Sequence, residues 1–160
     1  MLTATQVAKY FLSKDNKKEV FTANLVEFND RKSYEGNIKL NKFLYFAQTV
    51  YLAKYGKPLF SDDFIAYDNG PVIKEILENF QILRSKKYND IDIGKNKDFL
   101  DKIYESLLNA TCEELIEISH EDEEWRRLRD KTHDAPVMKI KEKSSEYSKK
   151  YSDFIEVVGI

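Results

Sequence analysis

Apolar residues recur at the helical period along most of the chain. Val7, Ala8, Phe11 and Leu12 fall at i, i+1, i+4 and i+5, which predicts a helix over 3–13. The strongest segment is 38–55. There Ile38, Leu40, Phe43, Leu44, Ala47, Val50, Tyr51 and Tyr55 sweep a broad face that Tyr45, Phe46 and Leu52 widen, with Lys39, Lys42 and Thr49 lying off it. A helix apolar over most of its circumference is central and contacted from several sides. Gly56 stands where a left-handed C-cap ends it, and Lys54 and Lys57 suit the negative end of its dipole.

The remaining segments are shorter. Val20, Phe21, Leu25, Val26 and Phe28 read as a short docking helix, followed by an exposed loop over Asn29–Ser33. Phe64–Tyr67 reads as one strand, paired with the alternating run around 91–93 as a single small ribbon. Gly70-Pro71 opens a helix to about Lys86, with Pro71 at the first helical position. Phe99, Leu100, Ile103, Tyr104, Leu107 and Leu108 predict a helix over 97–109. Thr111 and Glu114 form a capping box for a short helix. The next helix starts around Ser119–Asp122, carries Trp125 and Leu128 and breaks at Asp134–Pro136; the last runs over 143–158. The expected class is mainly α: one compact domain over 1–160, six or seven helices, at most one small ribbon, and its motif-bearing core in 38–130.

Composition narrows this further. The chain has 160 residues, 42% hydrophobic and 13% aromatic, which is material for a genuine core. Lys and Arg number 26 and Asp and Glu 28, a formal charge of −2 that argues against a generic basic duplex binder. The single cysteine, Cys112, rules out an internal disulfide and fits a reducing, cytoplasmic setting. The start shows no basic and apolar leader pattern, and no stretch is apolar enough to span a membrane.

Candidate chemistry is sparse. His120 and His133 stand 13 apart, without HExxH or CxxC, so the usual zinc ligand count is missing. Glu121–Glu124 beside His120 fit a solvated acidic helix start better than a hard-cation site. Cys112 lies near a helix start, where a thiol pKa can fall, but Glu113 and Glu114 oppose a thiolate. There is no GxSxG, GxGxxG or GxxxxGK[ST]. Lys39 and Lys42 near Tyr45, the Lys139–Lys143 tract and Lys149-Lys150 leave a nucleic-acid reading open, weakened by 21 Lys against 5 Arg. Trp125 followed by three Arg within four residues suits either a core anchor or a protein contact.

Three stretches are more distinctive in combination: Lys39–Gln48, Tyr55–Phe60 and Ile65–Val72, followed by Ser119–Trp125. In this order and spacing they resemble the SocA-like domain, also called the Panacea antitoxin domain, which includes phage-associated GepA proteins. Asn41 stands for the family's usual Gln, Tyr67 for Trp, Ser119 for Thr and Glu124 for Pro. The resemblance implies a helical, non-catalytic antitoxin without cofactor or metal. It implies neutralisation of a cognate protein toxin by direct contact, with delivery to a ClpXP-type protease in one known type. It also implies signature residues: Lys39, Lys42, Tyr45, Gln48, Tyr67, His120 and Trp125 as candidates for partner contact, and Gly56, Pro58, Gly70 and Pro71 for the backbone. The competing expectations are a phage-related nucleic-acid-binding regulatory module and a small hydrolase using His120 with the acidic run.

Overall fold

The computed structural model describes residues 1–160 and contains seven α-helices and two hairpins. Helix α1 (Ala4–Lys14) begins with a reciprocal capping box between Thr3 and Gln6. The first hairpin, β1 (Leu25–Phe28) and β2 (Arg31–Tyr34), leads into α2 (Glu35–Tyr55). The second, β3 (Ile65–Tyr67) and β4 (Gly70–Val72), leads into α3 (Lys74–Arg84). Then come α4 (Lys97–Leu107), α5 (Cys112–Ser119), α6 (Glu123–Lys131) and α7 (Ser144–Val158).

Everything packs around α2, which touches α1, α3, α4, α5, α7, β2 and β4. Fifteen of its 21 residues are buried, so between Gly36 and Leu52 it keeps no continuous solvent face, and only its last turn is exposed. Lys42 and Thr49 are therefore enclosed, not set off to one side as the apolar pattern implied. One end of the core is an aromatic cage in which Phe43 meets Phe11, Phe21 and Tyr104 edge to face, at 5.7, 5.1 and 5.8 Å between ring centres. Gly56 caps α2 at φ +69, its N–H donating to the Leu52 carbonyl.

Three local expectations are overturned. Residues 25–28 form a strand, not part of a helix. Asn29 and Asp30 both adopt positive φ and make a two-residue turn that sets Phe28 opposite Arg31, so Arg31–Ser33 is strand instead of loop. Pro71 lies in β4, and the helix starts three residues later at Lys74. Two side chains of α2 hold that stretch extended: Lys42 donates to the Pro71 carbonyl and Asn41 accepts from the Ile73 N–H. The run around 91–93 is not a strand. β3 pairs with β4 through the Asp68-Asn69 turn, and its other edge is taken by Pro136–Met138. The fold thus has two small ribbons where one was expected.

Gly36, in the first turn of α2, was not singled out by pattern. Its N–H donates to the Thr22 carbonyl at 2.9 Å, and a Cβ there would drive into the backbone of Phe21 and Thr22. Backbone cannot swing aside as a side-chain tip can. Gly36→Ala is expected to cost about 1–3 kcal/mol by overpacking. Leu44→Ala, which empties a fully buried position, is expected to cost about 2–5 kcal/mol. Urea unfolding followed by circular dichroism measures both.

Candidate functional site

A helix without a continuous solvent face must find partners for its polar side chains inside the protein. Asn41, Lys42, Tyr45 and Gln48 do this at i, i+1, i+4 and i+7 along α2. Asn41 receives the Ile73 N–H at 2.9 Å and donates to Asn37. Lys42 Nζ donates to the Pro71 carbonyl at 3.0 Å. The Tyr45 hydroxyl donates to Asp122 Oδ2 at 2.5 Å. The Gln48 carboxamide accepts from the Leu59 and Phe60 N–H groups and donates to the Phe60 carbonyl, standing in for a neighbouring strand. Between them these side chains secure three segments: 71–73, the start of α6 and 59–60.

Asp122 is the second centre. It is 2% exposed, yet its Oδ2 receives the hydroxyls of Tyr45 and Tyr147 and its Oδ1 caps α6 by receiving the Trp125 N–H at 2.9 Å. Burial and the neighbouring carboxylate hold both phenols far above the usual tyrosine range. Glu124 is buried as well, engaged by Arg127 and the Lys139 N–H. The acidic run before Trp125 is therefore not solvated throughout: half of it carries the α6 start and its link to α7 and the 136–139 segment.

Above this layer an open cleft of about 540 Å³ lies where the two hairpin tips meet α6. Its floor is the His120 ring stacked on Trp125, 4.0 Å between centres and 10° from parallel. Trp125 Nε1 donates to the Tyr67 carbonyl at 2.8 Å. The tips are bound to one another: Arg31 donates to Asp68 and to the Tyr67 hydroxyl, and Asn29 donates to Asn69. Arg129 clamps the wall, donating to the Ala66 carbonyl and to Asp68 at 2.5 Å and touching His133 Nδ1. Arg126 differs from these. Its Nε donates to the His120 carbonyl at 2.6 Å, its terminal nitrogens make no hydrogen bond, and it has no ion-pair partner among the nine salt bridges.

Electrostatics keep the floor neutral. Burial lowers the His120 pKa to about 4, helped by the charge of Lys42, and its Nε2 is buried without a hydrogen-bond partner. Burial likewise lowers Lys42 to about 7. Lys42 lies against Gly70, where φ is +105 and a Cβ would collide with Ser119 Oγ and come within 2.9 Å of Lys42 Cε. That close approach explains the glycine.

The structure thus divides the residues expected at the partner surface. His120 and Trp125 line the cleft, and Tyr67 adjoins it, its carbonyl receiving Trp125 Nε1 and its hydroxyl receiving Arg31. Lys42, Tyr45 and Gln48 are interior clamps at 0–1% exposure. Lys39 is half-buried and paired with Glu35 at 3.6 Å, away from the cleft lining. Gly56 caps a helix end, Pro58 precedes the Leu59-Phe60 segment held by Gln48, and Gly70 and Pro71 sit under Lys42. Sequence reading did not single out Asp68 or Arg31, and it met Asp122 only as part of the acidic helix start and Arg129 only as one of the arginines after Trp125. These four become neighbours of the site only through tertiary folding. Ser119 Oγ donates to the Ile116 carbonyl, burial pushes the Cys112 thiol up to about 11, and no three His, Cys, Asp or Glu side chains converge to hold a metal.

Two measurements test this division. Lys42 is deprotonated in the folded chain at a pH where the unfolded chain still binds the proton, so stability rises with pH above about 7. Between pH 7 and 9 the slope is expected to approach ~1.4 kcal/mol per pH unit and to flatten in Lys42→Met. Above that window the raised Cys112 begins to oppose it. Tyr45→Phe, which removes one of the two phenols on Asp122, is expected to cost about 1–3 kcal/mol in chemical unfolding.

Comparison with known proteins gives one family. The protein-family model described as Antitoxin SocA-like, Panacea domain matches residues 40–126. No curated protein and no solved structure matches. The matched span runs from within the clamp helix α2, through both strands of the second hairpin, to Arg126 on the cleft. More than half of the chain lies within it, and the protein belongs to the SocA-like antitoxin family with a Panacea domain.

Proposed function

We propose that this protein neutralises a protein toxin by direct contact, using the cleft between the hairpin tips and α6. Family membership supports a role in a toxin–antitoxin system, a protein toxin as partner and a non-catalytic mode of action. The observation that carries the contact surface is the fate of the family's signature positions: Lys42, Tyr45 and Gln48 on α2 are consumed by the fold, whereas His120 and Trp125 line one cleft and Tyr67 adjoins it. Trp, Tyr and Arg dominate the energetics of protein interfaces. Here they are held in place before binding by the Arg31–Asp68–Arg129 network, which limits the ordering cost on association.

The nucleic-acid alternative loses several of its cations. Lys42 is inside, Lys39 is paired, Lys141 bridges to Asp63 and Lys143 to Glu146. Lys149 and Lys150 share a surface recess with Glu121, Glu123 and Glu146. No continuous phosphate track is left on these segments.

Co-expression with the product of the adjacent gene tests the proposal. Growth arrest by that product alone, relieved by this protein, is the expected result; arrest that persists refutes direct neutralisation. Arg126→Glu is expected to weaken complex formation ~30-fold, about 2 kcal/mol, as an interface hot spot does. Its thermal midpoint is expected to stay close to that of the parent, because Arg126 is exposed and makes a single backbone bond. Following toxin abundance in the same cells separates masking, with the toxin level unchanged, from delivery to a protease.

A further inference from the structure

A second cleft lies between the end of α1, the turn after it and the end of α3, and it shares no lining residue with the first. Its volume is about 420 Å³. Lys18, Arg84, Lys86 and Lys87 line it, and none of the four takes part in any of the nine salt bridges of the protein. Arg84 is aimed by its Nε, which donates to the Phe21 carbonyl at 2.8 Å and leaves the terminal nitrogens free.

Asp15 is the only carboxylate in the lining, and it serves another purpose. It is 7% exposed and receives the backbone N–H groups of Glu19, Val20 and Phe21, so the turn is wrapped around it. The C-termini of α1 and α3 each contribute roughly half a negative charge. Against four cations, Asp15 and the two helix ends leave a surplus of about +2 in one concavity. Like charges that share one concavity repel, and a bound anion relieves that repulsion. Exposed Asn16 and Asn89 add amide donors at the rim.

We infer that this cleft binds a compact polyphosphate anion, either free or as the phosphate end of a nucleotide. The site is one concavity with a positive surplus, in a protein of net charge −2, which fits a compact, multiply charged anion better than a nucleic-acid backbone tracked over many phosphates. Lysine serves as a mobile point charge for phosphate, and Arg84 supplies the fixed fork. No covalent step is involved. The inference does not rest on the toxin-binding role of the first cleft.

Isothermal titration of the full chain with sodium pyrophosphate tests it, with inorganic phosphate, ATP and adenosine in parallel. Saturable pyrophosphate binding is expected at 50 mM salt, weakened severalfold at 200 mM. Lys86→Glu/Lys87→Glu, at two exposed positions, is expected to weaken it at least ~10-fold, whereas Arg126→Glu in the other cleft leaves it unchanged. ATP bound more tightly than pyrophosphate, with adenosine inert, assigns a nucleotide; equal affinities assign free polyphosphate. Absence of pyrophosphate and ATP binding at low salt overturns the inference. So does binding that survives the double substitution, or tighter binding of a short DNA duplex than of either probe.

Discussion

The fold rests on the enclosure of one helix. Enclosing α2 removes a large apolar surface from water, but it also takes Asn41, Lys42, Tyr45, Gln48 and Thr49 away from solvent. Each has to be satisfied by something that packs against the helix. The partners are two β4 backbone groups or their neighbours, the Asp122 carboxylate, the Leu59-Phe60 backbone, and a carbonyl of α2 itself together with the Tyr151 hydroxyl. The segments between helices are thereby fixed from within. Hydrogen bonds to a buried helix do for these short stretches what sheet pairing does elsewhere.

The helices were legible because their apolar period is strong and their ends carry chemical signals: Thr3 with Gln6, Thr111 with Glu114, Gly56 at a C-cap. The hairpins were not, since four- and three-residue strands have too few positions to show a period. Val26 and Phe28 pack on Ile38, Cys112 and Ile116, and an alternating pair reads equally well as one turn of helix. Pro71 followed a sound rule for helix starts, overruled by side chains of α2 that no local pattern contains. The site was half legible. Resemblance picked out Tyr67, His120 and Trp125, yet the same motif presented Lys42 as a surface charge. Only burial on every side of α2 separates the two groups.

The cleft joins two kinds of material. Its floor, with His120, Trp125 and Asp68, lies within the span shared with the family and is tied to the clamp layer through Asp122. Part of its rim, with Asn29, Asp130 and His133, lies outside that span. The Asn29 side chain hydrogen-bonds the tip residue Asn69. Substitution there alters what the cleft presents while the bonds that hold α2 stay intact.

Helix α7 shows what enclosure demands of the chain in time. Its Tyr147 and Tyr151 complete the Asp122 and Thr49 contacts, and it packs along α2 from a position some hundred residues later in the chain. During synthesis α2 emerges early and stays uncovered along that side until α7 follows. Throughout this interval Phe46 and the rest of the face against α7 are open to other chains, and unburied apolar surface of this kind drives misassembly. A protein organised around an early, largely buried helix therefore closes this core only when α7 docks on α2.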